Sequence, residues 1–136
     1  MHSKKKILLI DDDTLFISLT KRFFASAPVE TEVLDCHTGK EAMDFLEGNM
    51  NNAGALPDIM LLDLNMPVMD GWGFLREIEI LFPFLRKIPD LYVLSSSISP
   101  HDLARVKSVT FVKEYYVKPL TKEQLMWMIN YSEQVN

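Results

Sequence analysis

The sequence predicts an α/β domain in which five parallel strands alternate with five helices. Short apolar runs of strand length recur along the chain, and segments with apolar residues every three or four positions lie between them. Such alternation is typical of a parallel sheet covered by helices on both faces. At 136 residues, the chain is long enough for one such domain with a substantial core and too short for two.

The first two strands are marked by apolar runs that end at polar residues. Strand one is predicted over 5–10 and runs into three aspartates. The first helix follows, with Asp12 or Asp13 as its cap and Pro28 closing it. Strand two is predicted over 29–37. Three of its residues are expected in the core: Val33, Leu34 and Cys36.

Capping signals predict where three of the other helices begin. Thr38 and Glu41 have the spacing of a capping box, and so do Thr121 and Gln124. Ser99 is expected to cap a short helix that has a proline at its first position. The remaining strands are predicted over 59–62, 91–94 and 110–117. The third helix is predicted over 72–82.

The order of the strands decides which of their ends meet. Right-handed crossovers leave few ways to arrange five parallel strands. We expect the flavodoxin-like, doubly wound order 2-1-3-4-5, which places strands one and three side by side. Their carboxyl ends then meet where the strand order reverses, which is where open α/β sheets bind their ligands.

Composition disfavours several classes of function. The net charge is -5 and no basic run exceeds three lysines, so direct binding of nucleic acid is not expected. No apolar run approaches the roughly 20 residues of a membrane helix, so no membrane insertion is expected. The single cysteine, Cys36, cannot form an internal disulfide and fits a reducing compartment, most simply the cytoplasm.

Side chains of complementary chemistry end four of the five predicted strands. Strand one ends at Asp11 and Asp12, strand three at Asp63, strand four at Ser95 and strand five at Lys118. Singly, such residues are more often helix caps, turn residues or solvated side chains. Together, three carboxylates resist ionisation unless a cation such as Mg²⁺ neutralises them. The conjunction fits a phosphoryl-transfer site with a carboxylate nucleophile.

Four blocks of the sequence resemble receiver domains of two-component response regulators. They lie in the family's order within a core of about 5–131, at 7–13, 62–71, 94–96 and 116–120. The most specific block reads Asp-Leu-Asn-Met-Pro-Val-Met-Asp-Gly and begins at Asp63. The resemblance implies a single receiver domain over 1–136, of the stand-alone type, that is a monomer or a weak dimer.

The resemblance also implies a role for each matching acidic residue. Asp63 is the expected phosphoacceptor. Asp11, Asp12 and Asp63, with the backbone carbonyl of Asn65, are expected to bind Mg²⁺, for which Mn²⁺ is a possible substitute.

Further roles concern the response to phosphorylation. Ser95 is the expected switch hydroxyl, Lys118 the cation that pairs with the phosphoryl group, and Tyr115 the switch aromatic. The peptide bond between Lys118 and Pro119 is expected to be cis. Glu114 departs from the family pattern, because a glycine or alanine often precedes the switch aromatic.

The implied partners are a histidine kinase or histidine phosphotransfer protein and an unknown downstream protein target. No enzymatic role is expected beyond weak self-phosphorylation from small donors and autodephosphorylation. Two alternatives stay open. An Asp-nucleophile, Mg²⁺-dependent phosphatase would use the Asp-x-Asp spacing of Asp11 and Asp13. A flavodoxin-like binding module would need a phosphate-binding loop after strand one, where three aspartates stand instead.

Overall fold

Five strands alternate with five helices in the computed structural model, which describes residues 4–66, 70–96 and 99–135. The strands are β1 Lys5–Ile10, β2 Thr31–Cys36, β3 Ile59–Asp63, β4 Asp90–Ser95 and β5 Val112–Val117. The helices are α1 Thr14–Ala25, α2 Gly39–Gly48, α3 Gly71–Leu81, α4 Pro100–Lys107 and α5 Lys122–Val135, and a 3₁₀ turn, Phe82–Phe84, follows α3. Residues 67–69 of the specific block lie outside the described residues.

The strands form one parallel sheet in the order β2-β1-β3-β4-β5, which confirms the predicted flavodoxin-like fold. β1 and β3 pair from Ile7 opposite Ile59 to Ile10 opposite Leu62. The two strands therefore end at the same level, and the residues that follow them share one edge of the sheet.

β3 and β4 are largely apolar, with polar residues at their ends, because helices cover both of their faces. Every residue of β3 and β4 is buried. Alternate side chains enter two clusters on opposite faces. The cluster under α2 and α3 includes Leu8, Ile10, Met60, Leu62 and Phe74. The cluster under α1 and α5 includes Ile7, Leu9, Phe24, Leu61 and Met128. Burial of each such side chain contributes about 1.5–3 kcal/mol.

Side-chain caps fix the beginnings of the helices and so the ends of the loops that carry the site. Asp13 caps α1, accepting hydrogen bonds from the amides of Leu15 and Phe16, which leaves Asp12 outside the cap. Ser99 caps α4 as predicted. Thr121 exchanges hydrogen bonds with Gln124 as a full capping box before α5.

The expectation that Leu34 lies in the core is wrong. β2 is an edge strand of the sheet, and Leu34 is 37% exposed while Cys36 is buried. β2 and β5 each begin two residues later than predicted, at Thr31 and Val112. None of the helices within the described ranges is long and apolar enough to cross a membrane.

Candidate functional site

Three carboxylates meet at the edge of the sheet where β1 and β3 end. Asp11 and Asp63 are buried, whereas Asp12 is exposed. One carboxylate oxygen from each of the three residues lies within 4.8 Å of the other two. The convergence follows from the strand order, because β1 and β3 are neighbours and end together.

Lys118, which follows β5, places a cation between two of these carboxylates. Its ammonium Nζ lies 2.7 Å from Asp11 Oδ2 and 3.7 Å from Asp63 Oδ2. Asp11 Oδ2 has this ion pair rather than a directional hydrogen bond as its polar contact. The Phe16 ring, with its centroid 4.5 Å from Nζ, shields the cation from one side. The Lys118–Pro119 peptide bond is cis.

The Asp63 carboxylate is oriented by a backbone contact. The amide of Asn65 donates a hydrogen bond to Oδ1 of Asp63 at 3.0 Å, so Oδ2 is the oxygen that faces Lys118. Burial raises the pKa of the Asp63 carboxyl to about 6, and the charge of Asp11 raises it too, while the Asn65 amide and the Lys118 ammonium oppose the rise. Three carboxylates and one ammonium meet here, so the site holds more formal negative charge than one lysine neutralises.

Ser95 is the last residue of β4, the strand that pairs with β3. Its hydroxyl is buried and accepts a hydrogen bond from the side-chain amide of Asn65 at 3.1 Å. Its carbonyl accepts a hydrogen bond from the backbone amide of Lys118 at 2.8 Å. Ser95 thus connects the loop after β3 with the residue that carries the cation.

Residues 7–130 match the family model of the response regulator receiver domain. This chain belongs to that family. The match covers most of the chain, and receiver domains act in two-component signalling. The receiver domain is also similar to the probable methanogenesis regulatory protein FilR2 of Methanothrix harundinacea. The two are 35% identical over 119 residues, which are 88% of this chain and 75% of that protein.

Solved structures of response regulators share the fold of this receiver domain. The crystal structure of a two-component response regulator from Cytophaga hutchinsonii gives a TM-score of 0.86 at 28% identity, covering 98% of this chain and 99% of that chain. The crystal structure of the phosphorylated cyanobacterial phytochrome response regulator RcpA gives a TM-score of 0.75 at 34% identity, covering 97% of this chain and 93% of that chain.

The donor set of the receiver domain fits a hard divalent cation. All three converging side chains offer carboxylate oxygens, which Mg²⁺ prefers, and the exposed Asp12 leaves room for the waters that Mg²⁺ retains. The excess of negative charge around Asp63 is the condition that such a cation relieves. Asp13 does not join the set, because its carboxylate caps α1. This geometry favours neither an Asp-x-Asp phosphatase nor a flavin phosphate at the start of α1.

One contact of the site was not found from the sequence. The side chain of Asn65, of which only the carbonyl had been considered, bridges to Ser95. Asn is a common loop residue, so its type alone gave no signal of this contact.

Tyr115, the expected switch aromatic, lies on β5 opposite Val93 and packs, half-buried, against the cluster under α2 and α3. It is therefore on the face of the sheet that α4 covers.

Proposed function

We propose that this receiver domain accepts a phosphoryl group on Asp63 from a histidine kinase or a histidine phosphotransfer protein. The observation that supports it best is the convergence of Asp11, Asp12 and Asp63 within 4.8 Å, with the Lys118 ammonium beside Asp11 and Asp63. A carboxylate nucleophile, an oxygen-rich cation site and a fixed ammonium are the parts that phosphoryl transfer needs.

The geometry around Asp63 supports one of its two carboxylate oxygens as the attacking atom. Oδ1 is held by the Asn65 amide, so Oδ2 is the nucleophile that forms the bond to phosphorus. The bond between phosphorus and the donor atom breaks, and the donor atom keeps the electron pair. Lys118, 3.7 Å from Oδ2, compensates the charge that the phosphoryl oxygens bring. Water later cleaves the acyl phosphate slowly, which returns Asp63 and releases inorganic phosphate.

Asp11, Asp12, Asp63 and the backbone carbonyl of Asn65 would bind the metal. Mg²⁺ is the expected ion, and Mn²⁺ suits the same oxygen donors. When bound, the ion neutralises charge on the phosphoryl oxygens. The protein's own part is to hold three carboxylates together at the sheet edge and to keep Lys118 beside them.

The response to phosphorylation is proposed to pass through Ser95, Lys118 and Tyr115. A phosphoryl group on Asp63 offers acceptor oxygens both to the Ser95 hydroxyl, now bonded to Asn65, and to the Lys118 ammonium, now bound to Asp11. Movement of Lys118 acts on β5, which also carries Tyr115. Phosphorylation thereby shifts the conformational equilibrium of the surface that α4, β5 and α5 form.

The organisation of the protein is part of the proposal. A single receiver domain over 1–136 would act in the cytoplasm as a monomer or weak dimer, and its output would be contact with a downstream protein. Acting as a signalling phosphoacceptor, it would turn over small phosphate donors only weakly.

Intact-mass spectrometry after incubation with acetyl phosphate and Mg²⁺ tests the proposal. We expect one added phosphoryl mass on the wild type and none on Asp63→Asn. Asp44→Asn, which alters an exposed carboxylate on α2, is the matched control and should label like the wild type. Equal labelling of Asp63→Asn and the wild type would show that another residue is the acceptor.

A further inference from the structure

An open groove lies between β5 and the first two turns of α5, beyond the phosphoryl site. Its volume is about 500 Å³. The lining residues are Glu114, Tyr116, Thr121, Glu123, Gln124 and Trp127. In β5, Val112 pairs with Leu91 and Glu114 pairs with Tyr92, so Lys113 is an extra, bulged residue between them. Beyond this bulge, the side chains of Glu114 and Tyr116 face α5.

Aromatic rings build one wall of the groove and hold it in place. The Trp127 indole is 51% exposed. The edge-to-face ring of Tyr92, at a centroid distance of 6.3 Å, and the Tyr131 ring, at 5.3 Å, fix its orientation. Tyr92, which is fully buried, also lies 6.1 Å from the Tyr116 ring. Trp127 thus offers a rigid aromatic surface to solvent at little cost in conformational entropy.

The groove carries negative charge without a matching cation. Glu114 and Glu123 are exposed, and neither forms an ion pair with any residue of the described ranges. One oxygen of Glu114 accepts a hydrogen bond from the Tyr115 amide, an amide on the open edge of the sheet. The Lys113 ammonium lies over the Tyr131 ring instead, 5.6 Å from its centroid, and does not line the groove.

The start of α5 does not turn the groove into an anion site. Thr121 and Gln124 exchange hydrogen bonds between their side chains and backbone amides, so these first-turn donors are already occupied. Glu123 adds a carboxylate to the same turn. The groove therefore presents oxygen acceptors and an aromatic face, a combination that suits a planar cation.

We propose that this groove binds an arginine side chain of the downstream target, with the guanidinium stacked on Trp127 and paired with Glu114 and Glu123. Stacking and paired hydrogen bonds both favour arginine over lysine at such a site. Arginine is also enriched where proteins contact one another. Glu114 becomes a determinant of which target this receiver binds. The identity of the partner as an output target rests on the proposed function above.

The groove lies within reach of the switch. β5 carries both Glu114 and Tyr116, and its end leads directly into Lys118. Thr121 follows three residues later and begins the capping box of α5. A displacement of Lys118 on phosphorylation therefore acts on both walls of the groove.

Titration of the full chain with N-acetyl-arginine methylamide, followed by amide and indole NMR shifts, tests the proposal. We expect saturable shifts of the Trp127 indole and of the Gln124 amide, with the Trp72 indole as an internal reference. Glu114→Gln and Glu123→Gln should each weaken binding about two- to fivefold, the range expected for an exposed charge pair. Glu133→Gln, a change of the same kind near the other end of α5, should leave the affinity unchanged.

A neutral probe and a lysine probe separate the contribution of charge from that of the planar guanidinium group. N-acetyl-citrulline methylamide, which has the shape of arginine without its charge, should bind several-fold more weakly. Equal shifts with this compound, equal affinity for N-acetyl-lysine methylamide, or wild-type affinity in both glutamine variants would overturn the proposal. Self-association abolished by Glu114→Gln in sedimentation would also overturn it, because the occupant would then be a second copy.

The same samples distinguish the two proposals. If Asp63 becomes phosphorylated but arginine does not bind, the groove proposal fails and the phosphoacceptor proposal stands. If arginine binds but Asp63 does not become phosphorylated, the groove is a binding site whose connection with a phosphorylation-dependent output is wrong.

Discussion

Gly71, the first residue of α3, tests how tightly the loop after β3 is packed around the phosphoacceptor. A Cβ added at this position would lie 2.4 Å from the Cα of Leu64 and 2.8 Å from the carbonyl oxygen of Asp63. Both are backbone atoms, so no flexible side chain can give way. The amide of Gly71 also donates a hydrogen bond to the Leu64 carbonyl at 3.0 Å, which keeps the two segments together.

Gly71→Ala is expected to destabilise the protein and to impair the site. Carbon atoms in contact lie about 3.5–4 Å apart, so relief of the clash needs a backbone shift of roughly 1 Å or more. Overpacking of this kind costs about 1–3 kcal/mol, and we expect the upper half of that range because backbone must move. The shift displaces the segment that carries Asp63, so labelling by acetyl phosphate should also slow.

Gly48→Ala is the matched control. Gly48 ends α2, and an added Cβ there would meet nothing within 4 Å. Alanine is the better helix former, so this variant should be unchanged or more stable by up to about 1 kcal/mol. Urea unfolding measures both variants, and acetyl phosphate labelling gives the functional comparison. If Gly71→Ala matched Gly48→Ala in stability and wild type in labelling rate, the close packing of Gly71 on Leu64 would be refuted.

Three further predictions concern the metal, the switch and a buried carboxylate. Asp12→Ala should weaken Mg²⁺ binding tenfold or more, about 1.4 kcal/mol, in a titration followed by Trp72 fluorescence; unchanged affinity would remove Asp12 from the site. Ser95→Ala and Lys118→Ala should still accept phosphate but show much smaller amide shifts across α4, β5 and α5, and a full wild-type shift pattern in both would refute the proposed switch. Burial raises the pKa of the Asp90 carboxyl group, so the folded state holds the carboxyl proton more tightly than the unfolded state does. Ionisation of Asp90 therefore lowers the free energy of unfolding as pH rises above the unfolded pKa of about 4. In urea unfolding, Asp90→Asn should therefore gain stability relative to wild type between pH 4 and 7, and a constant difference would contradict this.

Most of the fold was predictable because local signals and tertiary structure agree. The apolar run at 59–62 is a strand buried on both faces, and the caps at Ser99 and Thr121 begin helices as expected. Leu34 was misplaced because residue type does not reveal which strand lies at the edge of a sheet. The sequence also left Asp12 and Asp13 equivalent as caps, and only the backbone path decides between them.

The sequence was sufficient to predict which residues meet at the site, because the ends of the strands and their order in the sheet determine which residues lie at the same edge. Contacts between residues distant in sequence were not predictable. The hydrogen bond from Asn65 to Ser95 and the edge-to-face contact of Trp127 with Tyr92 both depend on side-chain orientation after packing. The extra residue at Lys113, which sets the faces of β5, leaves no periodic signal in a strand of six residues.

Chemical trapping of the phosphorylated residue tests the central claim most directly. Borohydride reduces an acyl phosphate to an alcohol, so a phosphorylated aspartate becomes homoserine, which peptide mass spectrometry can locate after acetyl phosphate and Mg²⁺ treatment. We predict homoserine at position 63, in place of Asp63, and at no other aspartate. Homoserine at position 11 would contradict the account, because Asp11 would then be the nucleophile, as in an Asp-x-Asp phosphatase.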